Sequence, residues 1–160
     1  MKNKILAGLA VFASRLGLLP ANVSPLGSFG FFGHGLIYFA TIVAFDFWVG
    51  GLYKGFWFTW AGFACYPLLG MIAKRLKLRY SLALLPLASL GFFVLSNFGS
   101  FWYWYPHNWS GLVWCYTLAL PFYGYTLVGD LVFGYGYLAV RAWRRRYLWS
   151  FKKIGLAKAV

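Results

Sequence analysis

Acidic side chains are nearly absent from this chain. Asp46 and Asp130 are the only two in 160 residues, set against 15 Lys and Arg. A soluble domain with 62% hydrophobic residues and so few acids has nothing to keep it dispersed, so composition excludes that class and leaves a membrane protein. Cysteine is also scarce. Cys65 and Cys115 stand in apolar contexts without a paired motif, so no zinc site and no disulfide framework is specified. Catalytic signatures are missing as well: there is no HExxH, no Ser/His/Asp ordering, no acid pair beside a histidine and no phosphate-binding loop. A chain without a nucleotide motif does not hydrolyse ATP by that route. No internal repeat and no low-complexity linker divides the sequence.

Long apolar stretches are abundant, and they recur from end to end. Pro and Gly clusters cut them into segments at Asn3–Leu19, Ser24–Phe32, Leu36–Val49, Phe56–Ala73, Tyr80–Phe98, Asn108–Leu120 and Phe122–Trp143. Ser24 followed by Pro25 offers an N-cap and a first helical position. Lys2 and Lys4 ahead of the first segment imitate a signal peptide, but more membrane-grade sequence follows instead of a cleavage box. The segment therefore reads as a retained helix. The basic residues flank the apolar segments in three groups: Lys2 and Lys4; Lys74, Arg75, Lys77 and Arg79; and a tail from Arg141 to Lys158.

Positive-inside bias turns these groups into a topology. With the N-terminus in the cytoplasm and five crossings, the basic loop at 74–79 falls inside. The tail also falls inside if the short sixth segment dips into the membrane and returns without crossing. That arrangement leaves only Arg15 and Lys54 of the 15 basic residues off the cytoplasmic side. The predicted fold is an all-α integral membrane protein with six transmembrane helices and a short re-entrant helix before the last span. Residues 1–143 form one transmembrane domain and residues 144–160 a basic cytoplasmic tail. Both termini lie on the cytoplasmic side of a bacterial inner membrane. A +13 charge distributed in this way points to anionic lipid headgroups as partners of Arg144, Arg145, Arg146, Lys152 and Lys153, not to nucleic acid.

Depth then selects candidate site residues. Arg15, Asp46 and Asp130 fall in the outer half of three different helices, where an unpaired charge is costly. Arg15 is expected to pair with Asp46 or Asp130. The group then either faces a ligand in a cavity open to the outside or only locks helix packing. Aromatic residues make up 24% of the chain and concentrate in Phe101-Trp102-Tyr103-Trp104-Tyr105. Such a run marks a membrane interface. Continued into Pro106-His107-Asn108, it also suits an outer loop over a flat, partly apolar ligand. Asn22, Asn97 and Asn108 stand at outer segment ends, and His107 at the outer mouth. The expected substrate-binding set is Arg15, Asn22, Asp46, Asn97, Trp102, Tyr105, His107, Asn108 and Asp130, with no catalytic residue, resident metal or cofactor. Cys65 or His107 would suit a metal-bearing ligand such as a corrinoid.

The order of landmarks resembles a known family. A first helix ends in a Pro-rich outer turn, and a short Gly-containing helix and a hinge follow. A helix then ends in Ala44-Phe45-Asp46 before Gly50-Gly51, a basic loop comes next, and a last helix opens with Pro121-Phe122. This layout resembles the substrate-binding S components of energy-coupling factor vitamin transporters. Arg15-Leu16, Asn22-Val23-Ser24-Pro25, Asn97-Phe98-Gly99, Tyr105-Pro106, Gly111-Leu112, Cys115-Tyr116 and Gly129-Asp130-Leu131 resemble more closely an uncharacterised bacterial family described as transport proteins of that type. The resemblance implies uptake of a small vitamin-like molecule that enters past the outer loops. It also implies work alone or with a transmembrane coupling subunit and two ATPases. The helix-packing signature of such docking is imperfect here, with only Ala10…Ser14 and Ala13…Gly17. The alternatives are a scaffold without a ligand and, less favoured with two carboxylates, a lipid-modifying membrane enzyme.

Overall fold

The computed structural model describes residues 2–16, 23–76 and 78–153. Among these, every regular element is helical: α1 Lys2–Ser14, α2 Leu26–Phe32, α3 Gly35–Phe45, α4 Phe56–Ala73, α5 Leu78–Trp104 and α6 Trp109–Lys153. A single π-helical turn, Asp46–Gly50, extends α3. Three helices are long and apolar enough to cross a membrane: α4, residues 82–104 of α5 and residues 109–144 of α6. Large apolar side chains are exposed along all three, among them Trp57, Leu68, Leu87, Trp114, Val132 and Trp143. Exposed apolar surface on this scale calls for a lipid neighbour.

The seven-residue α2 is the centre of the packing and touches α1, α3, α4, α5 and α6. Its glycines explain how so short an element holds that place. At Gly27 a methyl group would overlap Asp130 Oδ1 and the Tyr66 ring, and at Gly30 it would meet the Tyr38 ring at 2.7 Å. Gly70 of α4 lies against the Phe31 carbonyl in the same way. The core then forms from Val11, Leu26, Phe31, Tyr38, Ile42, Phe63, Tyr66, Leu85 and Ala88, one or two residues from each of the first five helices.

Several boundaries match the sequence reading. The hinge at Gly33 and His34 separates α2 from α3, and α4 runs over the predicted Phe56–Ala73. Pro25 sits one place earlier than expected, at the N-cap, with Ser24 Oγ accepting from the Leu26 amide at 3.4 Å.

The re-entrant helix requires a correction. Residues 109–153 form one uninterrupted helix with Pro121 inside it. Gly111, Cys115 and Ala119 before the proline and Gly129, Asp130 and Gly134 after it are all buried. The same helix is therefore seated on its neighbours on both sides of the missing amide. Pro67 and Pro86 are likewise absorbed within α4 and α5. Within the stretch from Asn97 to Pro121 only residues 105–108 are non-helical, and Phe101–Trp104 are the last turn of α5, not a loop. At a 1.5 Å rise the 45 residues of α6 reach about 68 Å, beyond a hydrocarbon core of about 30 Å. The helix carries Arg141, Arg144 and Arg146 past its apolar part and continues into the predicted tail as far as Lys153.

Candidate functional site

The buried ionisable residues fall into two groups. The first lies where the end of α1, the π-turn and the first turns of α4 meet. Arg15, in the turn that closes α1, pairs its Nη2 with Asp46 Oδ1. Trp60 Nε1 donates to Asp46 Oδ2 at 2.8 Å. The guanidinium carbon also lies 4.7 Å from the Phe45 ring centre and 5.4 Å from that of Phe63, so its faces are covered by rings. Asp46 is 2% exposed and has both oxygens satisfied. Each component has a local reason. Arg15 is held by the turn that its amide closes onto the Phe12 carbonyl at 3.1 Å. Asp46 opens a π-turn, which widens the helix and aims its side chain back toward α1 and α4.

The second group lies deeper. Asp130 of α6 is 1% exposed. Tyr66, the eleventh of the 18 residues of α4, places its hydroxyl 2.5 Å from Asp130 Oδ2. Ser28 of α2 donates to the Asp130 backbone carbonyl at 3.1 Å. Asp130 thus sits against the middle of α4, because α6 begins 21 residues before it instead of restarting at Phe122. The hydroxyls of Tyr38 and Ser89 are buried nearby and have no well-formed hydrogen bond among the described residues. Tyr38 lies within electrostatic reach of both Asp130 and Arg15, and so stands between the two groups.

Of the alternatives for Arg15, the structure forms the pair with Asp46. Among the described residues, four clefts between the helices are lined by neither carboxylate nor by Arg15.

The residues around the turn between α5 and α6 are brought together differently. His107 stacks on Trp102 with ring centres 5.0 Å apart, and its Nε2 lies 2.7 Å from the Trp102 carbonyl. Asn108 Oδ1 accepts from the Gly111 amide at 2.8 Å and so caps α6. Gly111 packs against the Pro106 carbonyl, which leaves no room there for a side chain. Tyr105 closes the end of α5 through its amide, 3.2 Å from the Phe101 carbonyl. These contacts build a rigid corner between α5 and α6. Asn22 lies outside the described residues. Cys65 is half-buried on α4, its thiol 3.6 Å from the Ala61 carbonyl, and no cluster of metal-ligating side chains occurs among the described residues.

Asn97 leads to the feature that sequence reasoning missed. It lines a cleft of about 290 Å³ between α4, α5 and α6, next to that corner. The other polar walls are Tyr53, Thr59, Ser96, Ser100, Tyr123 and Thr126, and Phe92, Phe93 and Phe122 supply ring surface. Every polar group is neutral. Four donors turn to the protein: Ser96 to the Phe92 carbonyl at 2.7 Å, Asn97 Nδ2 to the Phe93 carbonyl at 2.7 Å, Thr126 to the Phe122 carbonyl at 3.0 Å, and Tyr53 to Thr59 at 2.5 Å. The lining thus offers acceptor lone pairs, Asn97 Oδ1 among them, together with the hydroxyls of Thr59 and Tyr123. Ser96, Asn97 and Ser100 lie one turn apart in an otherwise apolar run, and that spacing was the available signal.

A family model matches residues 2–151. The chain belongs to DUF6580, a family of unknown function. No curated protein and no solved structure matches it.

Proposed function

We propose that this member of DUF6580 is a multi-pass protein of the bacterial cytoplasmic membrane that captures a small vitamin-like molecule from the outside for uptake, as an S component or a solitary importer. On this reading α1 to α6 cross or enter the membrane in alternation and both ends are cytoplasmic. A single descending α6 satisfies the positive-inside bias without a re-entrant helix. The observation that carries the proposal is the cleft between α4, α5 and α6. It combines neutral hydrogen-bonding groups with aromatic walls, next to a corner stiffened by Trp102, His107 and Asn108. Such a lining suits an uncharged, partly aromatic molecule that carries its own polar groups. Pairing with a coupling subunit and two ATPases follows only from the S-component resemblance.

The test is the small-molecule content of an organic extract from detergent-purified protein. Wild type should yield a compound at near-equal molar amount, and Ser96→Leu and Asn97→Leu, which fill the cleft, should yield little. Equal yields from all three would remove the cleft from the account. A second reading, a scaffold without a ligand, is favoured by one observation. Neither carboxyl group opens toward a ligand: Asp46 is held by Arg15 and Trp60, and Asp130 is closed in by Tyr66. That reading expects empty extracts throughout.

A further inference from the structure

Asp46 has a cation beside it, and Asp130 has none among the described residues. The groups facing Asp130 from each neighbouring helix are neutral. Gly27 and Ser28 of α2 wall it, with Oδ1 pressed against the Gly27 backbone. Tyr66 of α4 takes Oδ2. Ser89 of α5 lies beside both Tyr66 and Asp130, and its fully buried hydroxyl makes no well-formed hydrogen bond among the described residues. Tyr38 of α3 is the second such hydroxyl. Arg15 and Cys65 reach Tyr38 electrostatically, and Arg15 is engaged by Asp46. Tyr123, on the same helix as Asp130, is the remaining titratable neighbour.

A bare carboxylate sealed among neutral groups is too costly to persist. It takes a proton or a metal cation, or it opens to water. A metal cation does not seat here: Oδ1 has no room even for a methyl group on Gly27, and Oδ2 is already in contact with Tyr66. A proton needs no space. We infer that Asp130 is a buried proton-binding site, whose carboxyl carries an exchangeable proton that closes α6 onto α2 and α4. In the loaded form the proton rests on Oδ2 and is donated to Tyr66 Oη. The Tyr66 proton then points on toward Ser89, which gives that orphaned oxygen a donor. Unloading transfers one proton to water and leaves a carboxylate that favours the helices parted. This gives a chain without a nucleotide motif its own link to a proton gradient, whatever molecule the outer cleft takes.

Infrared spectroscopy of the full chain in detergent tests the inference, because only two side-chain carboxyls exist to be assigned. At neutral pH the wild type should show the C=O stretch of a protonated carboxyl. Asp130→Asn should abolish it, and Asp46→Asn should leave it. Tyr66→Phe should move it to higher frequency, and this arm decides the matter if Asp130→Asn does not fold. The folded state then holds one proton more than the unfolded state above the ordinary Asp range, near about pH 4. Wild-type unfolding temperature should therefore fall as pH rises, and that slope should be lost in Asp130→Asn. Absence of the band at neutral pH, or a band that neither Asp130→Asn nor Tyr66→Phe alters, overturns the inference.

Discussion

Removing Arg15 tests whether its ion pair with Asp46 is a structural lock. In Arg15→Met, Asp46 keeps Trp60 as its one donor while remaining 2% exposed. Stripping one partner from a buried pair costs about 3–5 kcal/mol. The Arg15 side chain is 18% exposed, so the low end, about 3 kcal/mol, applies. Asp46→Asn removes the charge but keeps an oxygen for Trp60. It should cost less, about 1.5–3 kcal/mol for one charged hydrogen bond. The double variant leaves no uncompensated charge, so its cost should fall short of the sum of the singles by about 2 kcal/mol. Urea unfolding in detergent, followed by tryptophan fluorescence and helical circular dichroism, reads all three. If the singles each cost under about 0.5 kcal/mol and add, the pair is no stronger than an exposed salt bridge and the reasoning fails.

Three further outcomes follow from the packing. Gly27→Ala drives a methyl into Asp130 and Tyr66 and should lower stability by at least about 1–3 kcal/mol, whereas Gly136→Ala, with open space around it, should be neutral or stabilising by up to about 1 kcal/mol; thermal unfolding of the pair compares them directly. Asn108→Ala removes the cap of α6 and should cost about 1 kcal/mol, with Asn108→Ser recovering most of it in the same assay. Pro121→Ala should leave helix content and the side of the membrane reached by the tail unchanged, which protease access to oriented vesicles would show; a relocated tail would mean that the proline sets the topology.

Element positions were legible where composition changes sharply. Gly55 and Lys74 bracket α4, and the Gly33-His34-Gly35 hinge separates two short helices. The pairing of Arg15 was legible too, since so few acids could neutralise it. Pro121 misled because proline breaks helices in water, where freed carbonyls find solvent. In an apolar surround the helix persists when packing holds both flanks, as Cys115 and Ala119 before it and Gly129 and Gly134 after it do here. The partner of Asp130 was not readable. Tyr66 is one of 12 tyrosines, and nothing local distinguishes it. Gly27 was still less readable, because its role is to have no side chain beside that carboxyl. The cleft left a readable trace in Ser96, Asn97 and Ser100, but its opposite walls, Tyr53 and Thr126, join it only through the packing of α5 against α4 and α6.

Native mass spectrometry of gently purified full-length protein tests the capture reading most directly, because it weighs ligand and protein partners together. The account predicts the 18.2 kDa chain carrying one small molecule, with that added mass lost in Asn97→Leu. A bare chain in wild type, or added mass that comes only from other proteins, would contradict it.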